Sequence, residues 1–348
     1  MGLKHVAVAA LACAGLSLAL PVCAQQADEL IWPRIVARMR LVDDDNAETR
    51  RWARDYARHP DAVRQLLARA EPYLWHIVEA VERRDMPAEI VLLPAIESGF
   101  DPAARSQQHA SGLWQFVPWT GREMGLHSTR DYDGRRDPVA STRAALGHLS
   151  DLHERFGDWH LALAAYNTGA ARLAGLMRKQ PQAADFWALK LPREPHEHVR
   201  RLMGLALLVE QPQKYGLRLP PIANRPANEL VALRKPIDLD AAARKAQVRE
   251  AVVRAYNPGL HNLGNTTGKK YVVLPAADAE RLRRVLAAGE FPPQPIPQVL
   301  VHVVQPGESL WRIARRYAVS VETIVRWNRI ADRAVIRPGR RLEVPIRV

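Results

Sequence analysis

From residue 87 to residue 216 apolar side chains recur at helical spacing and strand-like alternation is almost absent, so this block must fold as packed helices. Near its start runs Leu93-Pro94-Ala95-Ile96-Glu97-Ser98-Gly99-Phe100-Asp101-Pro102. Pro87 suits the first turn of a helix, where its missing N–H costs nothing. Ile90, Leu93 and Glu97 follow at spacings of three and four, which puts two aliphatics and a carboxyl on one helical face. Gly99 and Pro102 end the run. Pro94 falls inside it, where proline costs ~3 kcal/mol and predicts a kink. A carboxyl on an apolar face is disfavoured as the anion, so Glu97 suits the role of a general acid. From this stretch alone, a Glu97 paired with a buried arginine is the more ordinary reading.

The rest of the block carries clear punctuation. Asp137-Pro138 reads as cap and first turn of a helix over Val139–Arg155. Gly157-Asp158-Trp159 is a tight connection. An Ala/Leu-rich helix, His160–Tyr166, closes at Asn167-Thr168-Gly169. A further helix spans His198–Glu210. Upstream, residues 25–86 are also helical, with Tyr73, Ile77 and Val81 on one stripe, and read as a packing surface for the block that follows.

Beyond residue 216 the composition changes. Leu219–Pro236 holds four prolines and little periodicity, and reads as a linker. Residues 291–298 form a second, semi-extended proline-rich spacer. It isolates residues 299–348, which have a βααβ order: strand 299–304, a helix from Leu310 capped by Ser309, a helix 321–328 capped by Ser320, and strand 341–346. Residues 231–275 match this module in length, with Asn257 near the place of Asn328 and Tyr271–Pro275 near the closing strand. The region 217–290 thus combines a linker with a degenerate copy of the terminal module.

The formal net charge is +13, which suits an anionic partner. No dense Lys/Arg block and no zinc-finger pattern points to nucleic acid. The start reads as a secretory signal: Lys4 and His5, an apolar run Val6–Leu20, then small residues before a cut after Ala24. Cys13 and Cys23 both lie in that segment, so the mature chain has no thiol chemistry. Pro21-Val22 before Cys23 makes a poor lipidation signal.

Taken together these residues resemble a known family. Glu97-Ser98, Gly112–Phe116 (GLWQF) and Ala165-Tyr166-Asn167 occur in the order and spacing of the SLT-type lytic transglycosylases. The segments LPAIES, TGREMGL, RRDPVAST, GDW and DFWALKLP resemble the membrane-bound lytic murein transglycosylase D group. Residues 301–346, opening VHVVQPGESLWRIARRY, resemble a LysM peptidoglycan-binding module.

The resemblance implies a mainly α, lysozyme-like catalytic domain over 87–216, followed by the small βααβ LysM domain at 299–348. It implies a periplasmic enzyme that cleaves the β-1,4 bond between N-acetylmuramic acid and N-acetylglucosamine without water. Glu97 would serve as both acid and base. Ser98, Trp114, Gln115, Phe116, Tyr166 and Asn167 would contact or shape the substrate site, with core packing the readier account of Phe116. In the LysM module, Gly307, Glu308, Ser309 and Leu310 on one side and Ile330 and Ala331 on the other would line a glycan groove. No metal or other cofactor is implied. The partner is the peptidoglycan strand, with room for peripheral association with the membrane or cell wall. Asp101 is the nearest second carboxyl in sequence. Two other readings stay open: a goose-type lysozyme-like hydrolase, and a non-catalytic wall-binding scaffold. The chain departs from the family pattern at Gln107-Gln108-His109, at Thr168, and at Pro195-His196-Glu197-His198, where a Thr-Arg-like and aromatic pattern is expected.

Overall fold

A computed structural model describes residues 30–43, 46–183, 185–294, 298–328, 330 and 336–346. The expected signal segment, with Cys13 and Cys23, lies outside the described residues, as does Ala331. The described chain is mainly α, as expected, with two antiparallel two-stranded sheets. None of its described helices is long and apolar enough to cross a membrane.

The helical part has one continuous core, running from Ile31 to Ile222. At its centre is helix Arg193–Glu210, which buries eleven of its 18 residues. A helix apolar over most of its surface must be surrounded. It packs on Ala47–Ala57 and on Trp159–Thr168. A Cβ at Gly204 would stand 2.4 Å from Trp52 Cβ, so glycine permits the first of these crossings. The upstream helices, including Glu71–Glu82, share this core rather than covering it. Helix Pro138–Phe156 begins and ends as its sequence predicts. Asp137 accepts from the N–H of Val139 (3.0 Å) and Ala140 (3.1 Å), and Gly157 closes it at φ 71°.

The Glu97 segment differs from the single kinked helix expected. Residues Ala88–Leu92 form a 3-10 turn, and a new five-residue helix starts at Leu93. Pro94 thereby occupies a first turn, where no N–H is required. The chain meets the proline by restarting instead of bending.

Residues 229–274 form a βααβ unit: strand Glu229–Ala232, helices Leu239–Lys245 and Glu250–Tyr256, and strand Tyr271–Leu274, with Val231 opposite Val272. The first strand lies inside the stretch read as a linker. The terminal unit repeats the order, with Gln298–Val303 pairing Arg341–Ile346. Two asparagines play the same part in each unit. Asn257 Nδ2 donates to Val253 O (2.9 Å) and Val273 O (2.8 Å), and its Oδ1 accepts from Val273 N (2.8 Å). Asn328 makes the same three bonds, to Ile324 O (2.9 Å), Glu343 O (2.7 Å) and Glu343 N (2.8 Å). Each unit has its own core. Helix Ala276–Ala288 then packs on the first unit. Part of the proline-rich spacer is docked there too: Gln294 donates from its backbone to Gly264 O (2.8 Å) and from Nε2 to Asp238 (2.8 Å).

Candidate active site

Glu97 closes the short helix Leu93–Glu97, and its side chain is only 13% exposed. Ser98 Oγ donates both to Pro94 O (3.2 Å), within its own turn, and to Leu113 O (2.9 Å). It ties the acid segment to the GLWQF loop, so its role is to hold backbone in place. That loop is tightly folded. A Cβ at Gly112, where φ is 89°, would stand 1.9 Å from Arg135 O, so only glycine fits there. Ser111 N donates to Phe116 O (3.0 Å), which closes the loop. Gln115, at φ 48°, donates through Nε2 to Gly112 O (2.8 Å) and Ala104 O (3.4 Å). Its amide nitrogen is thus committed, and any contact with an acetamido group falls to Oε1.

Trp114 corrects an expectation. It is fully buried, and its Nε1 donates to Thr142 Oγ1 (2.9 Å). A large ring with its one donor satisfied inside the core offers no face to a sugar. Phe116 is buried as well. Tyr166 Oη donates to Trp114 O (2.7 Å), so the third motif braces the second. Burial, and then Glu97 when it is ionised, hold the Tyr166 hydroxyl well above its ordinary value, and it stays neutral. Asp101 sits in an exposed turn, accepting from Ala103 N (2.8 Å).

Glu97 and Asn167 open onto a cavity of about 340 Å³, lined also by Ile96 and by Arg193, Glu194, Glu197, His198 and Arg201 of the central helix. The fold therefore brings two further carboxyls near Glu97 that sequence distance had hidden. Glu197 is held by Arg193 at 2.8 Å. Among the described residues no cluster of three or more His, Cys, Asp or Glu is arranged to hold a metal ion.

Two residues carry weight that the sequence did not reveal. His198 Nε2 lies 2.8 Å from Glu97 Oε1 across 101 positions of chain. Arg135, buried and paired with Asp133 at 2.8 Å, donates to His109 O (2.8 Å) and Phe116 O (3.3 Å), pinning the GLWQF loop from beneath. The only sequence signals were the oddity of Pro195–His198 and the RRDP run.

In the terminal unit the expected groove residues are mostly structural. Glu308 accepts from His302 (2.6 Å), Gln305 N (2.8 Å) and Arg316 (3.0 Å), and the Gln305 N–H, then His302, hold its carboxyl below its ordinary value. Ser309 caps the helix that begins at Leu310. Gly307 turns at φ 81°, and Leu310 and Ile330 pack on the module's core.

Residues 76–188 match the Transglycosylase SLT domain and residues 302–345 match the LysM domain. Membrane-bound lytic murein transglycosylase D of Escherichia coli is 35% identical over 329 residues, which is 90% of this chain and 72% of that one. A putative tributyltin chloride resistance protein of an Alteromonas species is 50% identical over 107 residues, 30% of this chain and 52% of that one. Peptidoglycan transglycosylase gp16 of phage T7 is 32% identical over 112 residues, 32% of this chain and 8% of that one. With the enclosed carboxyl, the braced loops and the near full-length likeness in place, this chain belongs to the membrane-bound lytic murein transglycosylase D family of peptidoglycan lytic transglycosylases.

Proposed function

We propose that Glu97 is the single acid and base of a non-hydrolytic cleavage, a lyase reaction. Its carboxyl gives a proton to the glycosidic oxygen, and the bond from C1 of the muramic sugar to that oxygen breaks. The C6 hydroxyl oxygen of the same sugar then bonds to C1, and its proton returns to the Glu97 carboxylate. The products are a free 4-hydroxyl on one fragment and a 1,6-anhydro end on the other, with no water consumed. Glycosidases that use water usually place two carboxyl groups on either side of the bond, and of the other carboxyls at this cavity Glu197 is taken up by Arg193. Here the nucleophile belongs to the substrate, and intramolecular attack gains in orientation what a free water lacks.

The observation that carries this reading is the position of Glu97: a nearly enclosed carboxyl at the wall of a cavity of about 340 Å³, with one oxygen already engaged by His198. Asn167 lines the same cavity and suits a contact with a sugar hydroxyl or acetamido group. Ser98 and Tyr166 act by holding the loops. The LysM module holds glycan near the cleft through the spacer, raising its local concentration. The apolar segment Val6–Leu20 and the membrane-bound relative support export to the periplasm and peripheral association with membrane or wall.

The test is Glu97→Gln, which keeps shape and removes the proton. Release of soluble fragments from sacculi should fall by at least about a hundredfold with the melting temperature unchanged. Retained activity would remove Glu97 from the chemistry.

A further inference from the structure

We propose that His198 is the positioning residue for the acid: its neutral ring donates Nε2–H to Glu97 Oε1, which leaves the proton for delivery on Oε2, facing the substrate. This rests on the reading of Glu97 as the acid.

Three observations carry it. The first is geometry. Nε2 and Oε1 are 2.8 Å apart, and the two side chains are 7% and 13% exposed, so the bond is screened from water and strong. The second is the other ring nitrogen. Nδ1 is buried with no hydrogen-bond partner among the described residues. A buried N–H without an acceptor is rarer and costlier than a bare acceptor, so the proton of a neutral ring belongs on Nε2 and Nδ1 is left bare. An imidazolium would place a second N–H, and a charge, at that same unpartnered spot. The surroundings of the ring therefore fit one hydrogen bond, given from Nε2, and none at Nδ1. The third is rigidity. His198 projects from the buried face of the central helix, between Pro195 and Leu202, where packing holds its orientation. Its neighbour His196 takes no part, since its Nε2 accepts from Arg200 Nη2 at 3.2 Å.

In the reaction His198 neither gains nor loses a proton. When Oε2 releases its proton to the glycosidic oxygen, Glu97 becomes a carboxylate, and the bond from Nε2 becomes charge-assisted. It stabilises that carboxylate until the C6 hydroxyl returns a proton to Oε2. The interaction is thus stronger after proton delivery than before, which is the condition for raising kcat.

The experiment compares three full-length variants on sacculi. His198→Phe keeps the ring and removes the donor, and kcat should fall about ten- to a hundredfold while KM changes little. His198→Gln places an amide N–H at similar reach, and should recover most of that loss. Nitrogen NMR of the wild-type ring, assigned through the missing signal in His198→Gln, should show Nε2 protonated and Nδ1 bare. An Nδ1–H or doubly protonated ring would overturn the proposal, as would equal loss in the Phe and Gln variants or a change confined to KM. Glu97→Gln separates the two readings. If that variant is active, Glu97 is not the acid. If it is inactive while His198→Phe turns over normally, the positioning role alone fails.

Discussion

Tyr166 Oη donates a 2.7 Å hydrogen bond to the carbonyl of Trp114, joining the third motif to the second within reach of the charge of Glu97. Removing the hydroxyl strands a buried carbonyl, which costs about 1–3 kcal/mol. Tyr166→Phe should therefore lower both stability, by that amount in urea unfolding, and turnover on sacculi, by several-fold, because the loop beside Glu97 loses its brace. Full activity in a destabilised variant would mean that the brace serves folding alone.

The pair Asp137 and Lys269 joins the helical core to the first βααβ unit. Their side chains are 1% and 4% exposed, and Tyr132 (2.8 Å) and Tyr271 (3.1 Å) also donate to Asp137. Burial pushes the Lys269 ammonium down to about 7, so below that pH the two form a buried ion pair, and breaking one half of it leaves an uncompensated charge and costs about 3–5 kcal/mol. Lys269→Met should show that loss in chemical denaturation, and adding Asp137→Asn should restore part of it. If Lys269→Met costs less than about 1 kcal/mol, the two units are not held together at this point.

Much of this was legible in the sequence, for physical reasons that differ by element. Helix Pro138–Phe156 is announced by its own cap and its own terminal glycine, both local signals. The repeat was visible because Asn257 and Asn328 do the same job at matching places. The restart at Pro94 was missed because a helical stripe through Ile90, Leu93 and Glu97 does not register that the first residues wind as a 3-10 turn. Strand Glu229–Ala232 is four residues long, too short to display alternation. Trp114 misled because an aromatic beside a catalytic motif looks the same in sequence whether it faces a sugar or Thr142. His198 meets Glu97 only through tertiary packing, and no local pattern encodes a contact across 101 residues.

Stability should depend on pH through His196. Burial, and then the cation of Arg200, lower its proton affinity below the ordinary value of 6.5. In the unfolded chain the ring takes a proton as pH falls below that value, while the folded ring resists. The unfolded state then binds more protons, so this contribution is fully present above the ordinary value and is lost as pH falls through the folded one. The melting temperature should drop between pH 7 and pH 5, and His196→Gln, which keeps an acceptor for Arg200, should flatten that drop. Half-buried His148 acts with the same sign, so a residual slope should remain. An unchanged slope in the variant would contradict the assignment.

The terminal module has its own core and ten Lys/Arg against four acids in residues 299–348. Removing residues 298–348 should leave cleavage of short soluble glycan fragments within about twofold and slow action on whole sacculi about tenfold or more. Added salt should weaken the wild-type enzyme on sacculi more than the truncated one. Equal loss on both substrates would place the module in the catalytic fold instead of on a tether.

The central claim is that the sugar's own C6 hydroxyl, and not water, attacks the anomeric carbon after Glu97 delivers its proton. Digestion of sacculi in water enriched in heavy oxygen, followed by mass spectrometry of the fragments, tests it most directly. The account predicts 1,6-anhydro ends lacking one water, with no heavy oxygen incorporated. Reducing ends carrying heavy oxygen would contradict it.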